Sequence, residues 1–245
     1  MRIPNIYTDS HLKAQEDIEL DANASQHLAK VLRMKKGYQV RLFNGDGMFY
    51  PAELIEVGKK AVVAKTADAI ASDTESKVHT HLGQVMSRGD RMDYAVQKAT
   101  ELGVSDITPL FSERCEVKLT AERIEKRKAH WQQVAISAAE QCGRAVVPTI
   151  HKPVSLNEWL KAEASESGLK LVLHHRDTQN LEDIQSPPNR VTLLIGPEGG
   201  LSEAEIKQAY MQQFISTTFG PRVLRTETAP VTALTLVQWL WGDFR

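Results

Sequence analysis

The sequence predicts an α/β protein in two parts, a small, mostly β domain followed by a larger domain of alternating strands and helices. From residue 38 to residue 70, short runs of alternating apolar and polar residues are separated by glycine turns, which is typical of a β-meander. After residue 76 the predicted strands are nearly continuous apolar runs, which indicates a parallel sheet covered on both faces. The polar segment 72–76 separates the two patterns, so we expect domains at 1–71 and 77–245 joined by a linker.

The first domain begins with a strand-like segment and a short helix. Leu28, Val31 and Leu32 recur at helical spacing and predict a helix over residues 23–34 that ends before Gly37. The strands of the meander follow as YQVRLF, MFYPAELIEV and AVVAKTADAI, with turns at NGDG and GKK.

The second domain is predicted to contain five strands and five helices. Ser155 and Ser202 are each followed three residues later by a glutamate, so each predicts a helix opened by a capping box. The elements are, in order, strand 78–86, helix 91–102 with Asp90 as its possible cap, strand 106–111, a helix from about 120 to 141, the Ser155 helix, strand LKLVLHH, strand 190–195, the Ser202 helix, strand 214–219 and a last helix ending near Trp241.

The composition is that of an ordinary folded protein, with 42% hydrophobic and 25% charged residues among 245, and it excludes collagen-like, disordered and disulfide-scaffold classes. Thirty Lys and Arg against 31 Asp and Glu give a net charge of -1, so the whole protein lacks a field that attracts nucleic acid. RNA binding would need local basic patches, and ordinary solvated surface is the alternative for each. The candidates are Arg33, Lys35, Lys36 and Arg41, and later Arg88, Arg91 and Lys98.

The sequence carries no sign of a membrane segment. No run approaches the roughly 20 apolar residues of a membrane span, and the first residues resemble a strand instead of a basic start followed by an apolar run. Cys115 and Cys142 lack CxxC spacing and lie among polar residues, which favours reduced thiols without a catalytic or metal role. We expect a cytoplasmic protein without a membrane partner.

Two loops are the candidate binding sites, because ligands of open α/β sheets bind beyond the carboxyl ends of the strands. The first, Gly196-Pro197-Glu198-Gly199-Gly200, has three glycines that let a ligand approach the main chain. Its amides are suited to a nucleoside, and a tight strand-to-helix turn is the alternative. Its spacing matches neither the Rossmann nor the P-loop pattern, which disfavours phosphate binding.

The second loop, residues 219–229, joins the last strand to the last helix and packs two arginines and a glutamate into a turn. The alternative is that Thr226 or Thr228 is simply a helix cap, with Glu227 complementing the helix dipole. That interpretation explains why threonines occur in this loop, but it does not explain the two arginines.

Short strings spread along both predicted domains carry a family resemblance. They are HLAKVLRMKKG, LFNGDG, QKATELGV, SERCEVKL, AAEQCGR, LLIGPEGGLSEAEI and GPRVLRTETA. Because these strings occur in this order, the sequence resembles the RsmE family of the SPOUT superfamily over nearly its whole length. Members of the RsmE family methylate N3 of a uridine in small-subunit ribosomal RNA. The resemblance implies an RNA-binding PUA-like β-barrel followed by a SPOUT α/β domain whose C-terminal segment forms a trefoil knot.

The resemblance also implies the cofactor and its pocket. S-adenosylmethionine is the expected methyl donor, with S-adenosylhomocysteine as product and no metal, and the knot loops form the pocket. Glycine-rich backbone suits the adenine and ribose edges, and Leu201, Val223 and Leu224 are suited to be apolar walls. The expected cofactor contacts are Leu194, Ile195, Gly196, Pro197, Glu198, Gly199, Gly200, Leu201, Phe219, Gly220, Val223, Leu224, Arg225, Thr228 and Ala229.

The sequence departs from the family pattern at His174-His175-Arg176 and at Pro230-Val231. Neither departure touches the central strings. Adjacent residues on a strand point to opposite faces, so whether His174 or His175 contacts the cofactor stays open.

Methylation at N3 requires the uridine to be unpaired and turned into a pocket, because N3 lies on the base-pairing edge. Arg225 is our candidate for stabilising the negative charge that develops on the base. Glu227 either orients Arg225 or accepts the N3 proton, and an ion pair that only holds the loop together is the alternative. The residues expected to contact RNA phosphates are Arg33, Lys35, Lys36, Arg88, Lys98, Arg114 and Arg144.

The expected partners are small-subunit ribosomal RNA or the assembled small subunit, and a second copy of the chain. The last helix has more apolar residues than one core face requires, which fits a homodimer and equally a buried helix. A transfer RNA methyltransferase and a non-catalytic ribosome-assembly factor that binds RNA are the competing functions.

Overall fold

The computed structural model describes residues 3–58, 61–174, 181, 184 and 186–245. The chain divides into two compact units, one of Met1–Glu75 with Ile136–Val147 and one of Ser76–Ala135 with Pro148–Arg245. Segment Ile136–Val147 therefore packs with the first unit although it lies far along the chain, which boundaries drawn from the sequence do not include. The predicted turn at Gly58-Lys59-Lys60 lies partly outside the described residues.

The first unit is mostly β, as predicted. Its elements are β1 (Asn5–Tyr7), β2 (Asp17–Glu19), α1 (Ala22–Gln26), β3 (Gln39–Phe43), β4 (Met48–Val57), β5 (Val62–Thr66) and β6 (Ile70–Ala71). The strand order is β1-β3-β4-β5-β2 with β6 beside β4. Only β1 and β3 pair in parallel, and the meander strands pair antiparallel. Among the described residues β1 and β2 do not pair, so closure into a barrel stays a prediction.

The single helix predicted over residues 23–34 is wrong in its geometry. The Asp21 side chain caps α1 by accepting from the backbone of Asn23 and Ala24, and a π-helical turn, His27–Val31, follows. Arg33 then has a φ of 50°, a left-handed conformation that ends a helix. This short segment is held by tertiary packing, because Leu28 is fully buried in the core of the first unit.

The second unit alternates strands and helices, as predicted. Its elements are β7 (His79–Val85), α2 (Arg91–Glu101), β8 (Asp106–Phe111), α3 (Ala121–Cys142, whose last residues belong to the first unit), β9 (Thr149–Ile150), β10 (Val154–Ser155), α4 (Leu156–Glu163), β11 (Leu169–Leu173), β12 (Arg190–Ile195), α5 (Glu203–Met211), β13 (Ile215–Thr217) and α6 (Thr228–Trp241). None of the helices in the described ranges is long and apolar enough to cross a membrane.

The sheet of this unit is parallel throughout, which confirms the prediction. Its order is β10-β8-β7-β12-β11-β13, with β9 beside β8. The chain moves from β7 to β8 in one direction, whereas β12 and β11 lie on the other side of β7. The point where β7 meets β12 is therefore a topological switch point, where ligands of open α/β sheets bind.

Both faces of the sheet are buried. Leu194 of β12 packs with Trp159 of α4 and Phe214 on one face, while its neighbours Leu193 and Ile195 are buried on the other because alternate residues point to opposite faces. Helix α4 contacts α5, and α2 contacts α6. Burial on both faces explains why β12 is a nearly continuous apolar run.

Of the three N-cap residues predicted for the second unit, two form their capping hydrogen bonds. Ser155 and Ser202 each form the predicted capping box with Glu158 and Glu205. Asp90 is the N-cap residue of α2, but its side chain makes no capping hydrogen bond, so its predicted capping role is wrong.

A buried charged cluster lies where the strands of the second unit begin. Glu163 at the end of α4 bonds Nδ1 of His81 at 2.8 Å, Arg190 at 3.2 Å and the Thr192 hydroxyl at 3.0 Å. These partners favour the carboxylate and lower the pKa of Glu163 to about 2, against a burial penalty that alone would raise it. The cluster lies at the amino-terminal ends of the strands. The candidate site lies at their carboxyl ends, so the cluster stabilises the fold at a distance from that site.

Candidate functional site

The two candidate loops are joined at the switch point by a buried chain of hydrogen bonds. The Thr226 hydroxyl donates to the carbonyl oxygen of Gly196 at 3.1 Å, and the Gln84 amide donates to the Thr226 oxygen at 3.1 Å. Gln84 pairs in register with Ile195, so this contact lies where β7 and β12 end. Thr226 and Gln84 are 5% and 1% exposed. Thr226 therefore joins the second loop to the first at the switch point, where a ligand is expected.

The glycine loop after β12 favours glycine at two of its three glycine positions. Gly200 has a φ of +68°, and a Cβ at Gly196 would lie 3.1 Å from Cγ of Leu201. The Gly200 amide donates to the carbonyl oxygen of Pro197 at 2.9 Å, which closes a tight turn. The interpretation of this segment as a turn is thus correct, and it does not exclude a ligand, because the loop is exposed from Glu198 to Gly200.

Two arginines contact the glycine loop from outside. Arg114 donates to the carbonyl oxygen of Gly199 at 2.9 Å, and Arg91 forms an ion pair with Glu198. Both pairs are at the surface, so each contributes little to stability. Arg114 thus contacts the candidate cofactor loop in addition to being a predicted phosphate contact.

The second loop presents its charged residues differently. The Arg225 side chain is 81% exposed and that of Glu227 is 18% exposed, and the nearest charged atoms of the two are 4.0 Å apart. Glu227 is the N-cap residue of α6, but its side chain makes no hydrogen bond to the helix. Neither threonine is the cap, because Thr226 bonds Gly196 and Thr228 is the first helical residue. The capping interpretation is therefore wrong for both threonines.

The expected apolar contacts differ in exposure. Leu194 and Ile195 are buried in β12, so their side chains are covered by the core, and Ala229 is also buried. Leu201, Phe219 and Leu224 are half-buried beside the two loops, Gly220 is exposed and Val223 is fully exposed. Leu201 and Leu224 are therefore partly open to a ligand, whereas the fully exposed Val223 does not form an apolar wall in this structure.

An open cleft of about 790 Å³ adjoins the second loop. It lies between the starts of α2 and α6, and its volume is in the range of small-molecule sites. Glu227 borders it, and Arg88 at its rim forms an ion pair with Glu116 at 3.1 Å. The lining residues are Arg88, Gly89, Asp90, Arg91, Tyr94, Glu116, Glu227 and Thr228.

The other predicted RNA contacts are dispersed. Arg33, Lys35 and Lys36 are exposed in the first unit, directly after the π-helical turn. Lys98 forms an ion pair with Glu101 at 2.7 Å.

Arg144 is 4% exposed and its guanidinium bonds the Glu75 carboxylate at 2.7 Å. A buried guanidinium held by a carboxylate is a structural ion pair, so the structure does not support Arg144 as a phosphate contact.

Only His174 of the departing segment lies within the described residues. The backbone amide of His174 donates to the carbonyl oxygen of Thr217 at 3.1 Å, and His175 and Arg176 lie outside the described residues. In the described part of the chain no group of three or more His, Cys, Asp or Glu side chains is arranged to hold a metal ion.

Sequence reasoning missed three residues of this site. Gln84 looks like any polar residue within a strand, and Thr226 was considered only as a cap. Tyr94 lies in α2 without a motif around it. Strand β7 contains several polar residues, HTHLGQV, so no signal in the sequence singled out Gln84; only its burial does so, since a buried amide requires a partner.

Family models match both parts of the chain. One described as an RNA methyltransferase domain matches residues 74–238, and one described as an RNA methyltransferase PUA domain matches residues 20–66. The chain is 37% identical over 242 residues to the ribosomal RNA small subunit methyltransferase E of Buchnera aphidicola subsp. Schizaphis graminum, with 99% of this chain and 98% of the relative covered. The enzyme of the same name from Bacillus subtilis is 29% identical, with 95% and 93% covered.

Solved structures agree over the whole chain. A methyltransferase from Legionella pneumophila in complex with the cofactor SAM has a TM-score of 0.94 and 40% identity, with all of both chains covered. A ribosomal RNA small subunit methyltransferase E from Neisseria gonorrhoeae bound to S-adenosyl methionine has a TM-score of 0.91 and 37% identity, again over all of both chains. The predicted architecture, a PUA-like domain followed by an α/β methyltransferase domain, is confirmed.

Proposed function

Because this chain belongs to the ribosomal RNA small subunit methyltransferase E (RsmE) family of RNA methyltransferases, we propose that it transfers the methyl group of S-adenosylmethionine to N3 of a specific uridine in small-subunit ribosomal RNA. The assembled subunit is the proposed substrate. The observation that carries the proposal is the hydrogen bond from Thr226 to Gly196, which brings the two candidate cofactor loops together at the switch point of the sheet.

The residues at this point fit the cofactor. The glycine loop exposes main chain that can hydrogen-bond the adenine and ribose edges, and Leu201 and Leu224 lie half-buried beside it. Beneath the loops, the buried Oε1 atom of Gln84 has no hydrogen-bond partner among the described residues. We retain as proposed cofactor contacts the loop 196–201, the main chain of β12 before it, and the main chain and apolar side chains of the segment 219–229, while the charged groups of Arg225 and Glu227 are assigned to the substrate.

The cofactor supplies an electrophilic methyl group bound to a positively charged sulfur. The uracil, turned out of its helix, presents N3 to that methyl carbon. N3 forms a bond to the carbon as the bond from carbon to sulfur breaks, the electron pair stays on sulfur, and the N3 proton passes to Glu227. Glu227 suits this role because it is largely buried at the edge of the cleft and makes no capping bond to α6.

Arg225 is proposed to stabilise the charge that spreads over the two carbonyl oxygens of the base. Its guanidinium is exposed and stays 4.0 Å from Glu227, so it is available to a substrate. Arg88 and Lys98 are proposed phosphate contacts of the second unit, and Arg33, Lys35 and Lys36 those of the first. Such contacts make RNA binding weaker as the salt concentration rises.

Three further features are proposed from family membership. A trefoil knot formed by the segment around 196–229 is supported by the return of Thr226 to Gly196. A homodimer is supported by Trp239 of α6, which is 53% exposed among half-buried apolar neighbours. Since ribosomal subunits are assembled in the cytoplasm, that is the proposed compartment.

The test is transfer of a labelled methyl group to three substrates, namely small subunits that lack the modification, the naked ribosomal RNA, and transfer RNA. We expect label in the subunit RNA. Label confined to transfer RNA would replace the proposal with a transfer RNA methyltransferase, and binding of subunits without any transfer would replace it with an assembly factor.

A further inference from the structure

Tyr94 is an exposed aromatic residue on an otherwise ordinary helix. Helix α2 buries Met92, Ala95 and Val96 against the core, whereas Tyr94 is 45% exposed and lines the cleft. Among the described residues its hydroxyl has no recorded hydrogen-bond partner. Nearly half of this residue is therefore open to a ligand in the cleft.

The ring is the only large apolar surface in a cleft lined by charged side chains, as far as the described residues go. Lys98 lies over the ring, with Nζ 5.9 Å from its centroid, and is itself paired with Glu101. The exposed part of the ring borders the same cleft as Glu227. An apolar plane beside polar and charged groups matches a nucleobase, which has an apolar face and a polar edge.

We propose that Tyr94 is the stacking platform for the extruded uracil, and that stacking on this ring turns the N3 edge of the base toward Glu227. The inference rests on the proposed function and adds a specificity-determining residue that contacts the substrate. Unpaired bases are recognised by stacking on aromatic rings, while their edges are read by hydrogen bonds. Arg88 and Arg91 line the same cleft in surface ion pairs with Glu116 and Glu198, and the flanking phosphates would take the place of these carboxylates.

The matched pair of variants is Tyr94→Phe and Tyr94→Leu, measured with assembled subunits. The phenylalanine variant keeps the ring and is expected to stay within about 2-fold of the parent in kcat/KM. The leucine variant loses the ring, and we expect kcat/KM to fall by about 10-fold or more, the size of effect that losing one base stack produces. The Kd for S-adenosylmethionine is expected to be unchanged in both, because Tyr94 is outside the cofactor loops.

The outcomes separate the inference from the proposed function. If the parent protein methylates N3 and the leucine variant is equally active, the stacking role is wrong and the proposed function stands. If both variants lose activity equally, the hydroxyl and not the ring is required, which also overturns stacking. If the parent makes no N3-methyluridine, the proposed function itself fails. Should the leucine variant melt at a lower temperature, Tyr94→Gln replaces it, with the same expected loss.

Discussion

The Thr226 hydroxyl donates a hydrogen bond to the carbonyl oxygen of Gly196 over 3.1 Å, so one side chain joins the loop after β12 to the segment before α6. The Gln84 amide supports the same oxygen of Thr226 from the neighbouring strand. Gln84, Gly196 and Thr226 lie far apart in the sequence, and the two hydrogen bonds that join them fix the relative positions of the two proposed cofactor loops.

Replacing Thr226 by Val removes the hydroxyl and keeps the shape of the side chain. Leaving the Gln84 amide and the Gly196 carbonyl without this partner costs about 1–3 kcal/mol in buried positions. We expect a lower free energy of unfolding and weaker S-adenosylmethionine binding, measured by urea unfolding and calorimetry. Thr226→Ser, which keeps the hydroxyl, is the control. A valine variant that binds the cofactor like the parent would show that this bond does not position the loops.

Replacing Arg225 by Ala removes the proposed charge stabilisation of the uracil. Loss of one such donor typically lowers kcat by about 100-fold or more. Because the guanidinium is exposed and 4.0 Å from Glu227, we expect the fold to be retained and cofactor binding to persist. Arg225→Lys keeps the charge without the planar fork and should retain part of the activity. Unchanged turnover in the alanine variant would remove Arg225 from the mechanism.

Replacing Glu227 by Gln removes the proposed proton acceptor and keeps its size. General base catalysis typically contributes about 100-fold or more, so we expect a corresponding loss of kcat with little change in the Kd for S-adenosylmethionine. Raising the pH should restore part of the activity, since solvent then removes the N3 proton. If the glutamine variant instead has the kcat of the parent at every pH, Glu227 serves only as a structural partner of Arg225.

The pH dependence of stability can be derived for Glu163. Its pKa is lowered to about 2 in the folded protein by His81 and Arg190, below the value for an unfolded chain. The unfolded state therefore binds the proton more readily, and the resulting stabilisation is present above about pH 4.5 and is lost as the pH falls toward 2. We expect the difference in free energy of unfolding between the parent and Glu163→Gln to shrink over that range. A difference that stays constant down to pH 3 would exclude this linkage.

Local signals in the sequence predicted much of the second unit. Strand β12 was predicted at its observed bounds because burial on both faces makes it an apolar run, and both capping boxes formed because each depends on residues three apart. The short strands β9 and β2 were missed because two or three residues are too few to show a period. The π-helical turn depends on the tertiary burial of Leu28, which no local pattern indicates.

The site was predictable only in part. The glycine loop is recognisable from its three glycines, and the family resemblance identified both loops. The bond between Gln84 and Thr226 joins residues 142 positions apart, so neither local propensity nor spacing could indicate it. The exposure of Tyr94 likewise depends on where α2 and α6 begin relative to one another, which is a property of the folded sheet.

The identity of the methylated nucleoside shows directly whether the protein methylates N3 of uridine. Small subunits that lack the modification are incubated with the protein and S-adenosylmethionine, and the RNA is digested to nucleosides and compared by chromatography and mass spectrometry with methylated uridine standards. We expect N3-methyluridine, formed by the parent protein and lost in Arg225→Ala. A methyl group on another atom of the base, or on the ribose, would contradict the proposed orientation of the uracil in the cleft.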